Sequence, residues 1–112
     1  MIDEQLLSKI HSGLSYRVGK NRAITSKEII SKLKERGFQV DGAILREHIH
    51  ELRMRGHFIC GDSSGYYLAA NQIEAKKQIS SLSSRIKQQQ EVLTSLQKTY
   101  TNLFKQESLF NN

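Results

Sequence analysis

The sequence has one cysteine, no proline and no tryptophan among its 112 residues. The single Cys60 excludes an internal disulfide framework and fits a reducing compartment. No apolar run approaches the roughly 20 residues that a membrane-spanning helix requires. The first ten residues include Asp3, Glu4 and Gln5, so they do not resemble a secretory signal. These absences predict a cytoplasmic protein with no membrane partner.

Residue patterns typical of catalytic and metal sites are also missing. The sequence contains no paired carboxylates, no glycine-rich phosphate loop and no Ser/His/Asp arrangement, so we expect no enzyme activity and no cofactor. His48 and His50 diverge by about 200° on a helix and cannot share an ion. Since no C-x-x-C or H-x₃-H spacing is present either, we expect no metal site. Cys60 has no convincing base partner, which indicates a small buried side chain and not a nucleophile.

The chain is basic, with 17 Lys and Arg against 11 Asp and Glu. Residues 1–70 carry 11 basic and 8 acidic side chains, and residues 71–112 carry 6 and 3, so each part has a net charge of +3. The densest positive segment is residues 14–36, with seven basic side chains against two acidic ones. This balance suits a polyanionic partner without proving one.

Two helices are predicted before residue 37. Leu6, Leu7 and Ile10 recur at helical spacing and predict a short helix over residues 3–12. Thr25 begins a capping box, Thr-Ser-Lys-Glu, which predicts a second helix over residues 26–36 that Gly37 ends. The side chains that this helix is expected to bury are Ile29, Ile30 and Leu33.

A third helix follows an unusually long turn at residues 38–40. Asp41 is a suitable N-cap, and Gly56 ends the helix in a position suited to left-handed backbone. Leu45, Ile49 and Leu52 share one face at 100° per residue, with His48 at its edge. The opposite face projects Ala43, Arg46, Glu47 and His50.

A β-hairpin is predicted directly after this helix. Residues 57–60 and 66–69 are short β-prone segments, and residues 61–65 join them as a Gly/Ser-rich loop. Tyr66 and Tyr67 are expected to pack the hairpin against the helices, with one ring on each face. Ile24 can add a third, minimal strand.

The C-terminal part predicts one long helix. Asn71 and Glu74 form a second capping box, and no proline or glycine follows. With Ile79 as position a, the heptad a and d positions are Ile79, Leu82, Ile86, Gln89, Leu93, Leu96, Tyr100 and Leu103. Seven of these eight residues are apolar. The repeat extends over four heptads, which is long enough to predict a coiled coil. A helix of about 40 residues, about 60 Å long, needs a partner helix for this stripe. We expect a homodimer; a different chain and a fold-back on the domain remain alternatives.

The third helix and the hairpin resemble the N-terminal winged-helix domain of biotin repressors. The matching positions are His48, Ile49, Leu52, Arg53, Gly56, Gly65, Tyr66 and Leu68. The stretch is also similar to small winged-helix proteins of phages and prophages, in which a Gly-Tyr-Tyr-like strand leads into a long charged helix. The resemblance covers residues 24–69 well and the C-terminal part only by analogy, and it implies a winged helix-turn-helix domain over residues 1–70. Together with the heptad repeat, it predicts a mainly α fold with a small β-hairpin, followed by a coiled-coil dimerisation helix over residues 71–112.

The sequence departs from that family in three ways. The turn between the second and third helices is longer than in the family. The wing carries Asp62 and no Lys or Arg, whereas wings usually meet phosphate. No segment resembling the biotin-ligase catalytic domain follows, so the enzymatic activity of that family is not carried over.

Within this fold, a DNA interface is expected on three parts of the chain. On the third helix, Arg46 can form a bidentate contact to guanine. The residues expected to contact DNA are Arg17, Lys20, Arg22 and Lys27 at phosphates, Ala43, Arg46, Glu47 and His50 in the groove, and Ser63 and Ser64 in the wing. The alternatives are a solvated helix face, a soluble loop and an ordinary tight turn.

The sequence therefore predicts a dimeric double-stranded DNA-binding protein, acting in transcription regulation or in the replication of a phage or mobile element. The alternative is a protein-interaction module that uses the same scaffold and coil to bind or inhibit another protein. Residues 41–55 carry three acidic and three basic side chains, and this neutral helix and the acidic wing favour the alternative.

Overall fold

The computed structural model describes residues 1–110, and it describes side chains as far as residue 105. Within this range the elements are α1 (Glu4–Leu14), a 3-10 turn (Lys20–Arg22), α2 (Ser26–Glu35), α3 (Gly42–Met54), β1 (Ile59–Asp62), β2 (Gly65–Leu68) and α4 (Gln72–Phe110). The predicted fold class, mainly helical with a small antiparallel hairpin and a long C-terminal helix, is confirmed. The chain divides into two compact units, Met1–Gln78 and Ile79–Asn112; residues 111 and 112 of the predicted C-terminal segment lie outside the described residues.

The core of the first unit is built mainly from α1, α2 and α3. Asp3 caps α1 by accepting hydrogen bonds from the backbone N–H groups of Gln5 and Leu6, at 3.0 and 3.2 Å. The apolar side chains of the core cluster are Leu6, Leu7, Ile10, Leu14, Ile24, Ile29, Leu33, Val40, Leu45, Ile49, Leu52 and Ile59. Burying them supplies the dominant favourable term in the folding of this unit.

The capping box of α2 forms as predicted. The Thr25 hydroxyl accepts from the Glu28 N–H at 3.2 Å, and the Glu28 carboxylate accepts from the Thr25 N–H at 3.3 Å. Gly37 follows the helix with a φ of +88°, a conformation that glycine adopts without strain. Ile30, which the periodicity placed in the core, is only half-buried.

In helix α3 the predicted cap forms, and His48 is buried more deeply than the helical spacing predicted. Asp41 caps it by accepting from the Ile44 N–H at 2.8 Å. His48 lies in the core with 1% of its surface exposed, not at the edge of the buried face. Its Nε2 accepts from the Asp3 N–H at 3.1 Å, so Nδ1 carries the proton and donates to the Ile44 carbonyl oxygen at 2.7 Å. Both ring nitrogens are therefore bonded, which makes the burial of this polar ring tolerable.

The hairpin has a shorter turn than predicted. Its strands pair from Ile59 with Leu68 to Asp62 with Gly65, which leaves only Ser63 and Ser64 in the turn. Gly65 has a φ of +119°, and a Cβ atom there would lie 2.3 Å from the Ile24 carbonyl oxygen. Only glycine permits both this backbone conformation and this close approach.

In the second unit, the described side chains are all exposed. The seven apolar a and d residues from Ile79 to Leu103 each have between 48% and 64% of their surface exposed. The Tyr100 and Phe104 rings stack on the same helix with centroids 4.7 Å apart. None of the described helices combines the length and the apolar character needed to cross a membrane.

Candidate nucleic-acid interface

The open face of α3 is the first part of the candidate interface. Ala43, Arg46 and His50 are exposed along it, as predicted, and Met54 extends the same face with 71% of its surface exposed. The Arg46 guanidinium folds back over the start of the helix, where a Cβ on Gly42 would lie 3.2 Å from Nη1. Within the described residues, neither Arg46 nor His50 makes a side-chain hydrogen bond or an ion pair. Both side chains are thus available to a ligand.

The acidic side chains within α3 are engaged by other groups. Glu47 accepts from the Met1 amino group at 2.5 Å. Glu51 accepts from Arg55 at 3.1 Å, and Arg55 also donates to both carboxylate oxygens of Glu4. Hydrogen bonding from Arg55 lowers the pKa of the Glu4 carboxyl, and the Met1 amino group does the same for Glu47. Although residues 41–55 are neutral by count, the charge left on the open face belongs to Arg46.

Arg53 joins α3 to the hairpin. Its Nε donates to the Ile59 carbonyl oxygen at 2.9 Å, and its guanidinium lies beside Gly61. The Tyr66 ring also lies close to Gly61, where a Cβ would be 3.2 Å from Cε1. Because a charged donor holds the start of β1, the position of the hairpin is fixed relative to α3.

The basic loop, residues 14–24, is hydrogen-bonded to β2. Ile24 exchanges two backbone hydrogen bonds with Tyr66, at 2.8 and 2.9 Å, which confirms Ile24 as a minimal third strand. Further along β2, Leu68 donates to the Arg17 carbonyl oxygen at 2.7 Å and accepts from the Gly19 N–H at 2.8 Å. The loop and the hairpin, predicted as separate phosphate contacts, are therefore one structure.

The side chains of the basic loop differ in exposure. Arg17 is half-buried, whereas Lys20 and Arg22 are exposed in and around the 3-10 turn, and Lys27 is exposed in the first turn of α2. Lys20 Nζ lies 3.7 Å from Asp62 Oδ2 in a partly exposed ion pair. Such a pair stabilises the fold little, so Lys20 can exchange it for another anion.

Asp62, the acidic residue of the hairpin, is engaged within the hairpin. Its Oδ1 accepts from the Ser64 N–H at 2.7 Å and its Oδ2 from the Tyr67 hydroxyl at 3.0 Å. Partial burial acts to raise the pKa of Asp62, but the hydrogen bonds from Ser64 and Tyr67, with Lys20 nearby, lower it overall. Desolvation and then Asp62 raise the pKa of Tyr67 to about 12. This carboxylate therefore closes the turn, while Ser63 and Ser64 remain exposed at its tip.

Side chains in the first turns of α4 accept hydrogen bonds from the basic loop and from the hairpin. Asn71 caps α4 by accepting from the Glu74 N–H at 2.9 Å. The Glu74 carboxylate accepts from the N–H groups of Ala70 at 2.9 Å and Lys20 at 3.1 Å, and not from the Asn71 N–H as the predicted capping box requires, so it reaches past its own helix to the basic loop. These two hydrogen bonds lower the pKa of Glu74. Gln78 Oε1 accepts from the Gly61 N–H at 3.2 Å.

The structure thus joins the basic loop to the hairpin and ties the hairpin to α3. No hydrogen bond within the described residues links Ala43, Arg46 or His50 directly to the loop. From the sequence, Glu74 was predicted only as part of a capping box. No role in positioning these parts was predicted for Arg53, Glu74 or Gln78. The described residues bring no three His, Cys, Asp or Glu side chains together in a cluster that can hold a metal ion. Cys60 is fully buried, and desolvation raises the pKa of its thiol.

Comparison with protein-family models, with curated proteins and with solved structures finds no match for this chain.

Proposed function

We propose that this chain is a winged-helix protein that binds double-stranded DNA as a dimer. The observation that carries the proposal is the open face of α3. Four buried side chains, from Leu45 to Leu52, anchor the helix, while Ala43, Arg46 and His50 are exposed and uncommitted within the described residues. A recognition helix requires this division, because one face packs on the domain and the other enters the major groove.

The basic loop and the hairpin support the same proposal. Arg17, Lys20 and Arg22 lie on a segment that is hydrogen-bonded to β2, and Arg53 ties β1 to α3. Phosphate contacts from such a rigid group orient a protein on the duplex, while the recognition helix contacts the bases. Ser63 and Ser64 at the tip of the hairpin are suitable hydroxyl donors to phosphate.

The wider role that we propose is transcription regulation or DNA replication of a phage or mobile element, in the cytoplasm and without catalysis. Dimerisation through α4 presents two recognition helices, which fits a repeated or palindromic half-site. No cofactor is part of this proposal.

Fluorescence anisotropy with labelled random genomic duplexes at low salt tests the proposal directly. We expect binding whose affinity falls as salt rises, because phosphate contacts release counterions. Arg46→Ala should lose about 1–3 kcal/mol at one base position of a selected site. Arg36→Ala is the matched control, since Arg36 lines a cleft between α1 and α2 with Tyr16 and Lys32. Absence of binding at low salt would refute DNA binding altogether, and identical losses for the two variants across all sequences would refute the assignment of Arg46.

A second candidate function is a protein-interaction module that binds or inhibits another protein. The specific observation in its favour is the exposed apolar stripe of α4, which needs a helical partner of some kind. This candidate predicts that the wild-type protein does not bind duplexes at low salt and that a different chain covers the stripe. A heterodimeric complex together with no DNA binding would favour it.

A further inference from the structure

The exposed stripe on α4, formed by the a and d residues from Ile79 to Leu103, indicates what kind of helix covers it. Its a and d positions form eight successive layers between Ile79 and Leu103, a span of about 36 Å at 1.5 Å per residue. Seven layers are apolar, with 48–64% of each side chain's surface exposed, and one, Gln89, is polar and lies in the middle. An amide in a core layer needs a hydrogen-bonding partner, because burying it without one is unfavourable.

The charges of α4 permit an identical helix as that partner. Between positions 80 and 105, the charged side chains other than Arg85 occupy the outer heptad positions b and f; they are Lys87, Glu91, Lys98 and Lys105. The positions that flank the stripe are Ser83, Arg85, Gln90, Val92, Gln97, Thr99 and Phe104. In a pair of identical helices, flanking Arg85 therefore faces Gln90 of the other copy and meets no like charge. Arg85 is the one charged residue at the flanking positions between 80 and 105, so this segment carries no series of flanking charges that would select a different partner.

The position of Gln89 distinguishes the two possible orientations. In a parallel, in-register pair each position faces itself, so Gln89 meets Gln89 of the second copy and the two amides can bond to each other. Reversing one helix exchanges the a and d positions, and with the stripe fully overlapped Gln89 then faces Leu93. That arrangement buries two amides without partners.

An antiparallel pair that is shifted along the helix axis gives the Gln89 amide a partner but loses apolar contacts. Moving one helix by a heptad sets Gln89 against Tyr100, whose hydroxyl can bond to the amide. The shift also sets Leu82 against position 107, which is a glutamate, so one apolar layer at each end of the pair lacks an apolar partner. The loss of these leucine contacts outweighs the two hydrogen bonds gained, because a buried leucine stabilises more than a typical net hydrogen bond.

We infer that α4 forms a parallel, in-register homodimer in which Gln89 pairs with its own copy and fixes the alignment. A polar residue at one core position can specify register and oligomeric state in this way, and within a parallel coil Ile79 and Ile86 at a, with leucines at d, favour two strands. The inference rests on the dimer of the proposed function but not on DNA binding. Its consequence is that both first units attach to the same end of the coil.

Disulfide cross-linking between engineered cysteines tests the orientation. In a Cys60→Ala background, Leu82→Cys and Tyr100→Cys are made separately in the full chain and oxidised alone and as a mixture. A parallel, in-register pair gives cross-linked dimers of each variant alone, because positions 82 and 100 each face themselves. An overlapped antiparallel pair gives a cross-link only in the mixture, between position 82 and position 100. Cross-linking in the mixture alone, or at neither position, overturns the inference.

A second measurement tests the role of Gln89. Gln89→Leu should raise the melting temperature of the coil and reduce selectivity, so that mixtures yield cross-links between positions 82 and 100 as well. Gln88→Leu is the matched control, since it changes the same group on the outer face of the helix and should leave orientation unchanged. If Gln89→Leu retains only the self cross-links and a dimeric mass, Gln89 does not fix the alignment.

Solution mass separates this inference from the proposed function. A mass twice the 12.8 kDa of one chain is expected without DNA. A monomer, or an assembly larger than two chains, overturns the inference whatever the anisotropy with duplexes shows. Conversely, self cross-links together with no DNA binding leave the coil intact and refute the DNA proposal alone.

Discussion

The two units of the chain use their apolar residues in opposite ways. In Met1–Gln78 the leucines and isoleucines of α1 and α3 lie in a core, and Leu45 has no exposed surface. From Ile79 onward an equally regular series of apolar residues is exposed, and Leu96 has 63% of its surface in contact with solvent. Helical periodicity thus predicts that a face seeks burial, but it does not say whether the covering surface belongs to the same molecule.

Truncating one leucine in each unit is the most direct test of whether its apolar residues are buried within one molecule or between molecules. Leu45→Ala should lower the free energy of unfolding of the first unit by about 2–5 kcal/mol at any protein concentration, because it leaves a cavity in a closed core. Leu93→Ala should leave that transition unchanged and instead weaken the coil, whose loss of helix depends on protein concentration. Urea denaturation at two protein concentrations, followed by the near-ultraviolet signal of the tyrosines and by far-ultraviolet helicity, measures both. Equal and concentration-independent losses would contradict the division.

Within the first unit, a pair of glycines offers the next largest contrast. Gly65→Ala should destabilise the protein by about 3 kcal/mol, because it combines a strained positive φ with a clash against the Ile24 carbonyl. Gly13→Ala, at the end of α1 where a Cβ meets nothing within 4 Å, should instead stabilise it by about 0.5 kcal/mol. Thermal unfolding of the two variants provides the test, and effects of the same sign would contradict the backbone geometry of the hairpin.

Two histidines on α3 allow a similar test of burial. His48→Leu should cost about 1–3 kcal/mol, because the Asp3 N–H and the Ile44 carbonyl lose the ring that bonds both of them. His50→Leu, on the open face, should change stability by less than about 0.5 kcal/mol. Chemical denaturation at pH 8 compares them. A neutral effect of His48→Leu would show that the buried ring is replaceable by an apolar side chain.

The smallest expected effect is the acid sensitivity of the hairpin. The pKa values of Asp62 and Glu74 lie below their ordinary values of 3.8 and 4.5, so the folded state binds protons less readily than the unfolded chain. Their stabilising contribution is present at neutral pH and is lost as pH falls below about 4. Asp62→Asn should flatten this decline between pH 5 and pH 3, because it removes one of the two carboxyl groups. An unchanged slope in Asp62→Asn would exclude the hairpin carboxylate as a source of acid sensitivity.

Local chemistry allowed much of the fold to be predicted from the sequence. The Thr25–Glu28 capping box, the Asp41 cap and the buried face around Leu45 each depend on residues within four positions of one another, so spacing alone reveals them. The exposed set Ala43, Arg46 and His50 follows from the same periodicity.

The remaining features depend on contacts that periodicity does not encode. The Lys20 N–H bonds to a carboxylate 54 positions away, and the basic loop joins β2 through backbone groups that any sequence possesses. The turn was predicted too long because residues 61–65 are all common in loops, whereas Gly61 and Asp62 pair with Tyr66 and Gly65 and the Asp62 oxygens bond to Ser64 and Tyr67. Whether α3, the loop and the hairpin bind DNA stays a prediction.

The two acceptors at the start of α4 set a practical limit on how the protein can be shortened. Glu74 and Gln78 accept from backbone N–H groups of Lys20, Ala70 and Gly61, each on a different strand or loop. A fragment that ends at Ala70 would leave all three amides without their acceptors, although every core leucine would remain. An isolated N-terminal fragment should therefore include the first two turns of α4, through Gln78. Without them, a loosened hairpin would be mistaken for an intrinsic property of the protein.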